Sequence, residues 1–293
     1  MKFGKVDNPS IVDFTLPADH AETKRVLNNY GQVGGIPEVY VGCAKWNRKD
    51  LKNFYPRGTK DDLTYYADQF NAIELNASFY RFFPPEQFEK WKDRTADDFK
   101  FFPKLPQNIS HWDRLKDSKR LAEEFLFGAC RLEEKFGCAF LQMNHTFKPT
   151  DFDRVEAFVN YWPEGFPLTI EFRHTDWYND PEVASRLYKL LEEKGISNSI
   201  TDTAGRRDMM HMRLTTPWAF VRFVGTNHES DFTRVDDWID RIETWTAEGL
   251  RDLYFFIHQH MDERTVFLAS YFVERLNDRI GTQLRIPSNL EKA

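Results

Sequence analysis

The sequence predicts an α/β protein of the (β/α)₈ TIM-barrel type, one domain over residues 37–280 with an N-terminal extension, 1–36, and a C-terminal tail, 281–293. Three observations carry this. From Pro37 onward, short apolar runs of strand length alternate with amphipathic stretches of helix length, the pattern of βα units around a parallel sheet. Eight such runs can be counted, and 293 residues is a common length for one barrel. No linker, internal repeat or low-complexity tract divides the chain after Pro37.

Taken in order, the extension holds the turn formers Asp7, Asn8, Pro9, Gly31, Gly34, Gly35 and Pro37 and a short helical pattern at 20–28. Strands are expected at 38–43, 72–79, 100–105, 138–143, 168–173, 197–202, 219–224 and 253–259. Helical patterns fall between them at 60–70, 85–94, 118–136, 152–162, 181–194 and 234–248, with 264–279 last. In the last, Val266, Ala269, Val273, Leu276 and Ile280 recur at spacings of three and four, which makes one apolar stripe able to pack over the first and eighth strands. The stretch 203–217 has little periodicity and reads as a single turn plus loop.

Composition narrows the class. Hydrophobic residues make up 41% of the chain, including 27 Phe, 11 Tyr and 8 Trp, so a large core is available and disorder is excluded. The net charge of −6, with no basic run, disfavours a sequence-independent grip on nucleic acid or anionic lipid. Cys43, Cys130 and Cys138 are an odd number without a CxxC pair, the usage of a reducing compartment, and they support neither a disulfide framework nor a structural zinc. No run is long enough for a membrane span, and MKFGKVDNPSIVDF lacks the apolar core of a signal peptide. The expectation is a soluble, cytoplasmic protein.

Side chains alternate along a strand, so residues two apart share a face. On that rule Glu74 and Asn76 face inward on the second strand, Phe102 and Lys104 on the third, and Phe140, Gln142 and Asn144 on the fourth. Thr169, Glu171 and Arg173 follow on the fifth, Asp202 on the sixth, Phe220 and Arg222 on the seventh, and Phe256, His258 and His260 on the eighth. The polar residue lies toward the C-terminal end of its strand, where barrel active sites lie. A charge on an otherwise apolar strand costs several kcal/mol unless it is paired or bound to a ligand. The alternatives are therefore a ligand site and a structural ion-pair brace. Glu74, Glu171 and Asp202 balance Lys104, Arg173 and Arg222 in charge, which suits a polyol, sugar or small zwitterion better than a polyphosphate.

The segments VGCAKW (41–46), FYP (54–56), IELNASFYR (73–81), FKFFPKLPQNISH (99–111), FLQMNHTF (140–147), EFRHTDW (171–177) and FVRFVG (220–225) resemble the ordered motifs of the domain of unknown function 72 family, also called YecE-like. The resemblance covers roughly residues 38–277 and implies a TIM-type barrel without implying a reaction. It implicates Glu74, Asn76, Tyr80, Lys104, His111, Gln142, Glu171, Arg173, His174, Trp177, Asp202 and Arg222. The chain departs from the family pattern at Val224, where a His after the seventh-strand Arg is usual, and at His258, where an Asn pair is usual; either departure bears on whether a family activity persists.

Glu74 and Glu171, from facing strands, are the candidate catalytic pair, one carboxylate as general acid and one as general base. Arg173, two residues from Glu171, gives that carboxylate a mixed role, whereas Glu74 reads as serving ligand. Asn76, Tyr80, Lys104, His111, Gln142, Arg173, Asp202, Arg222 and His258 are the candidate ligand-binding residues. Lys104 suits Schiff-base or proton-transfer chemistry if burial lowers its pKa, with simple pairing to an acidic neighbour as the alternative. His174 should point away and cap or brace Trp177. His258 and His260 share a face and have the spacing of two metal ligands, although no metal is assigned and no cofactor can be named. Trp46, Tyr55, Phe79, Tyr80, Trp112 and Trp177 offer flat platforms or core packing. No P-loop, dinucleotide fingerprint or nucleophile elbow occurs. The leading reading is an enzyme, hydrolase or isomerase, working on a small polar, sugar-like ligand at the barrel mouth by carboxylate acid-base chemistry. The alternatives are a metal-dependent, repair-nuclease-like barrel acting on nucleic acid and a non-catalytic ligand-binding barrel.

Overall fold

A computed structural model describes residues 4–30 and 34–288. Gly31 and the end of the tail, 289–293, lie outside the described residues. The fold is α/β, and all its strand pairs are parallel. Among the described residues the strands are β1 (Glu38–Cys43), β2 (Ala72–Leu75), β3 (Lys100–Pro103), β4 (Ala139–Gln142), β5 (Leu168–Glu171), β6 (Ser197–Asn198), β7 (Ile200–Thr203), β8 (Trp218–Gly225) and β9 (Asp252–Gln259). Six form a sheet in the order β3-β2-β1-β9-β8-β7, and β4-β5-β6 form a second. The edges approach one another: Phe101 bridges to Phe136 and Lys104 to Phe140 between β3 and β4, and only Ser199 separates β6 from β7.

The helices are α1 (Ala21–Tyr30), α2 (Asp62–Gln69), α3 (Ala77–Tyr80), α4 (Pro85–Lys92), α5 (Lys119–Ala129), α6 (Phe152–Tyr161), α7 (Asp176–Asn179), α8 (Pro181–Glu193), α9 (Ser230–Glu248) and α10 (Thr265–Ile280). Their ends follow local chemistry. Asp61 caps α2 through the Thr64 N–H, and Asp180 caps α8 through the N–H groups of Glu182 and Val183 just ahead of Pro181. Gly249 and Gly281, both left-handed, stop α9 and α10. Gly42 has a different reason to be glycine: a Cβ there would collide with the Ala72 carbonyl where β1 pairs with β2.

Besides the expected strand 197–202, which is divided into β6 and β7 at Ser199, three elements depart from the sequence expectation. The second strand ends at Leu75 because Asn76 turns into the helical region (φ −73°, ψ −15°) and its N–H folds back to the Glu74 carbonyl. The Ser78 hydroxyl then donates to the carbonyls of Leu75 and Lys104, which ties α3 to the strand ends. The expected helix at 118–136 is α5 followed by a 3₁₀ turn, Cys130–Lys135, kinked at Glu133 with φ 52°. The short α7 was not expected. The weak stretch after β7 is a 3₁₀ turn, Ala204–Met209, followed by loop, as its poor periodicity suggests.

Two apolar layers pack on the strands. Ile73, Leu75, Ile170, Ile200, Val221 and Ile257 face the helices and join the large core with Trp177, Trp238 and Trp245. The opposite faces carry a smaller cluster of Phe102, Phe140, Trp218, Phe220 and Phe256. Its rings pack tightly, with centroids 4.9 Å apart for Phe102 and Phe256 and 5.1 Å for Phe140 and Phe220.

The N-terminal segment is attached to this frame. The Gly4 carbonyl accepts from the Thr203 hydroxyl and the Gly205 N–H. The Phe14 ring lies 4.5 Å from the Arg234 guanidinium, and the carbonyls of Phe14 and Thr15 accept from Arg207. Asp19 accepts from Arg241 and Trp245 of α9.

Candidate functional site

Moving two residues toward the C-terminus from each inner phenylalanine reaches a polar side chain. Phe102 leads to Lys104, Phe140 to Gln142, Phe220 to Arg222 and Phe256 to His258, and β2 and β5 add Glu74 and Glu171. The strand period that builds the aromatic layer therefore also lays a polar layer on it.

Arg222 is the hub. It donates to Glu74 through Nε (2.8 Å to Oε2) and Nη2 (3.1 Å to Oε1), and to Glu171 Oε2 through Nη1 (2.8 Å). Glu74 also accepts from Asn76 Nδ2 (2.8 Å), and His258 Nε2 lies 3.1 Å from its Oε2. Glu171 accepts from Arg173 Nε and from Gln142 Nε2, the latter at 3.0 Å. The Gln142 carbonyl oxygen is thereby turned toward Lys104, whose Nζ donates to it at 2.8 Å. The Lys104 ammonium also lies 4.4 Å from the Phe79 ring centre and 5.4 Å from that of Phe140.

Burial raises carboxylate pKa values and neighbouring cations lower them; here the cations win. Burial pushes both carboxyls up, but Arg222 and His258 hold Glu74 well below its ordinary value, and Arg173 and Arg222 bring Glu171 to about 2. Both stay ionised at neutral pH, so neither is a general acid there. Lys104 goes the other way. Burial, reinforced by the charges of Arg222 and Arg173, lowers its pKa to about 7, and the charges of Glu74 and Glu171 only partly offset this. The alternative of a simple ion pair for Lys104 is not realised among the described residues: its hydrogen-bond partner is an amide oxygen.

A pocket of about 590 Å³ opens on this layer. Lys104, Gln142, Arg173, Arg222, Asn76 and His258 line it, while Glu74 and Glu171 are buried behind them. A bound molecule therefore meets mainly hydrogen-bond donors, with the balancing carboxylates beneath. That is a change from a ring of alternating charges all facing the ligand. Tyr80 stands on the rim, 64% exposed.

Two expected residues lie elsewhere. Asp202 does not join the cluster: it is buried on the helix side, where Arg234 Nη2 and Trp238 Nε1 each donate to it at 2.8 Å and Arg207 also pairs with it. The reason is strand parity, since Asp202 shares a face with the core residue Ile200, and Thr201 and Thr203 on the other face line the pocket. His111 packs edge-on against Phe79 at 5.0 Å beside Ser110 and is not among the residues that line the pocket. Burial and the Lys104 charge push its pKa down to about 4, so it stays neutral. His174 turns away, its backbone carbonyl accepting from the Trp177 N–H, and Trp177 is buried with its indole N–H on the Phe147 carbonyl.

In the loop after β1 the sequence reading singled out only Trp46, as a platform or core residue. Ala44, Lys45, Asn47 and Asp50 line the pocket with it, and Lys45 pairs with Asp262. Their signal was position alone, immediately after a strand end. Thr201 Oγ1 and His260 Nε2, both in residues lining the pocket, are buried without a hydrogen-bond partner among the described residues. Among the described residues no three His, Cys, Asp or Glu side chains gather as a metal ligand set.

Comparison with known proteins gives one consistent result. The profile of the family described as "Protein of unknown function DUF72" matches residues 40–291. The UPF0759 protein YecE of Escherichia coli K12 is 26% identical over 242 residues, 75% of this chain and 86% of that protein. The UPF0759 protein YunF of Bacillus subtilis is 28% identical over 182 residues, 56% of this chain and 60% of that protein. The crystal structure of a DUF72 family protein from Thermotoga maritima matches with a TM-score of 0.65 at 25% identity, covering 82% of this chain and 99% of that one. One from Enterococcus faecalis matches with a TM-score of 0.66 at 17% identity, covering 84% and 96%.

Proposed function

The chain belongs to the DUF72 family of proteins of unknown function, and from that premise we propose that it is an enzyme acting on a small, oxygen-rich, sugar-like substrate bound over the polar cluster. One observation carries this reading. Polar side chains from six strands and the turns after them form one hydrogen-bonded layer, and a pocket of about 590 Å³ opens directly on it. A structural brace alone has no need of an opening onto Lys104, Arg173 and Asn76.

The same geometry redistributes the chemistry. Glu74 and Glu171 are held ionised by guanidinium groups, so their part is to fix Arg222 and Gln142. Proton transfer falls to Lys104, the buried group whose pKa lies near neutrality. This favours isomerisation of a hydroxycarbonyl compound over two-carboxylate glycoside hydrolysis, which needs one carboxylic acid protonated at neutral pH. Within the same proposal, the two sheets close as an eight-stranded (β/α)₈ barrel forming one domain, with β6 and β7 counted as one strand. The bridges at Phe101 and Lys104 and the Ser199 N–H donating to the Ile170 carbonyl support that closure. No described helix is long and apolar enough to cross a membrane; a cytoplasmic location remains part of the proposal.

Thermal melts of the parent and of Arg173→Met, with a panel of aldoses, ketoses, short hydroxycarbonyls, nucleotides and duplex DNA, test the reading. A melting shift with hydroxycarbonyl compounds that Arg173→Met abolishes is the expected result. A shift with DNA or nucleotides and none with hydroxycarbonyls would overturn it in favour of the nucleic-acid alternative. The capture of both carboxylates by arginine favours a second reading, a ligand-binding protein without turnover; it predicts the same shift with no change in the bound compound.

A further inference from the structure

We propose that Lys104 is a covalent nucleophile whose Nζ forms a Schiff base with the carbonyl carbon of a small hydroxyaldehyde or hydroxyketone in the pocket, an inference that rests on the sugar-like reading of the site. The geometry supplies what the step requires. Lys104 follows the end of β3, is almost fully buried and lines the pocket. Its amine is fixed by the Gln142 carbonyl oxygen at 2.8 Å, and Gln142 is itself oriented because its amide nitrogen donates to Glu171. An ammonium paired to a carboxylate would be a poor nucleophile. Here both nearby carboxylates are engaged by Arg222, and Glu171 by Arg173 as well.

Four charged groups weigh most on Lys104. Arg222 from β8 and Arg173 after β5 disfavour a positive charge on it, while Glu74 from β2 and Glu171 from β5 favour one; His111 after β3, itself pushed to about 4, is neutral. Burial and the arginines prevail, and the amine titrates at about 7. At neutral pH the reactive free-amine fraction is then roughly a thousandfold that of an ordinary lysine with a pKa of about 10.4.

The step balances without any redox partner. The Nζ lone pair forms the C–N bond as the C=O π pair moves to oxygen, and an Nζ proton passes to that oxygen to give a carbinolamine. The hydroxyl takes a second proton from solvent and departs as water, and the remaining nitrogen lone pair closes C=N⁺H. The cationic imine would lie beside the faces of Phe79 and Phe140, which already flank the amine. Arg173 and Asn76 are placed to take the hydroxyl oxygens of the same molecule.

The test incubates the full chain with glyceraldehyde, reduces any imine with sodium borohydride, and maps the adduct by peptide mass spectrometry. At pH 7 the Lys104 peptide should be labelled at least on the order of tenfold above any other lysine, with labelling rising through pH about 7 to a plateau while surface lysines keep rising toward pH 10. Lys104→Met and Lys104→Arg should both lose that adduct; their own melts establish that they fold, and the pH profile of the parent needs neither variant. Labelling spread evenly over the lysines would overturn the proposal. If glyceraldehyde raises the parent's melting temperature without any adduct on Lys104, the covalent step fails and the sugar-like reading stands. Neither a melting shift nor an adduct would end both.

Discussion

Arg222 grips Glu74 at two points, Nε to Oε2 at 2.8 Å and Nη2 to Oε1 at 3.1 Å, reaching from β8 to β2 across the two strands between them. Glu74 is fully buried, so removing Arg222 leaves its charge uncompensated, and removing Glu74 leaves the guanidinium with Glu171 alone. Glu74→Gln and Arg222→Met should each lower stability by about 3–5 kcal/mol in denaturant titrations. A loss below about 0.5 kcal/mol in both would mean that the pair does not brace the fold.

The two carboxylates also set an acid limit. Their folded pKa values are depressed, so their contribution is complete above the unfolded value of about 4.3 and is lost as pH falls toward the folded values, about 2 for Glu171 and lower than normal for Glu74. Stability should fall between pH about 4.3 and about 2, each carboxylate adding up to about 1.4 kcal/mol per pH unit. Denaturant midpoints across that range should show a shallower slope in Glu171→Gln, and an unchanged slope would contradict the assignment.

Lys104 carries the same sign into the alkaline range. Its folded pKa of about 7 lies below the unfolded value of about 10.4, so between them the unfolded chain binds more protons and stability rises with pH. The stability of Lys104→Met relative to the parent should therefore be greatest below pH 7 and decline by up to about 1.4 kcal/mol per pH unit toward pH 10. Melts of the two proteins at pH 6 and pH 9 decide this, and a constant difference would show that the amine is not depressed.

Asp202 separates scaffold from site. Arg234, Arg207 and Trp238 surround it on the helix side. Asp202→Asn should cost about 3–5 kcal/mol of stability, yet leave the ligand-induced melting shift of the folded fraction unchanged. Loss of the shift at full stability would return Asp202 to the pocket.

Much of this arrangement was legible from a period of two. Phe102 and Lys104, Phe140 and Gln142, and Phe220 and Arg222 each share a face, as alternation requires, and the apolar stripe of α10 was plain at spacings of three and four. Asp202 was placed on the wrong face because it was read as a strand end without tracing parity back to Ile200, which is core. Two other features were beyond local spacing. The Arg222 to Glu74 pair joins residues 148 positions apart, and no neighbour of Glu74 announces it. Asn76 was counted as strand, although its amide reaches Glu74 because the chain has already turned helical there.

The N-terminal segment gives the protein a boundary that differs from that of its family match. Residues 40–291 hold the pocket and every strand end that feeds it, so a gene trimmed to that span would look complete. It would nevertheless strip the Phe14 ring from Arg234 and the backbone acceptors from Arg207, the two cations that hold Asp202. A chain cut at that boundary would keep the pocket and lose its backing wall, and an affinity tag fused directly before Gly4 would crowd a carbonyl that is seated on pocket-lining Thr203.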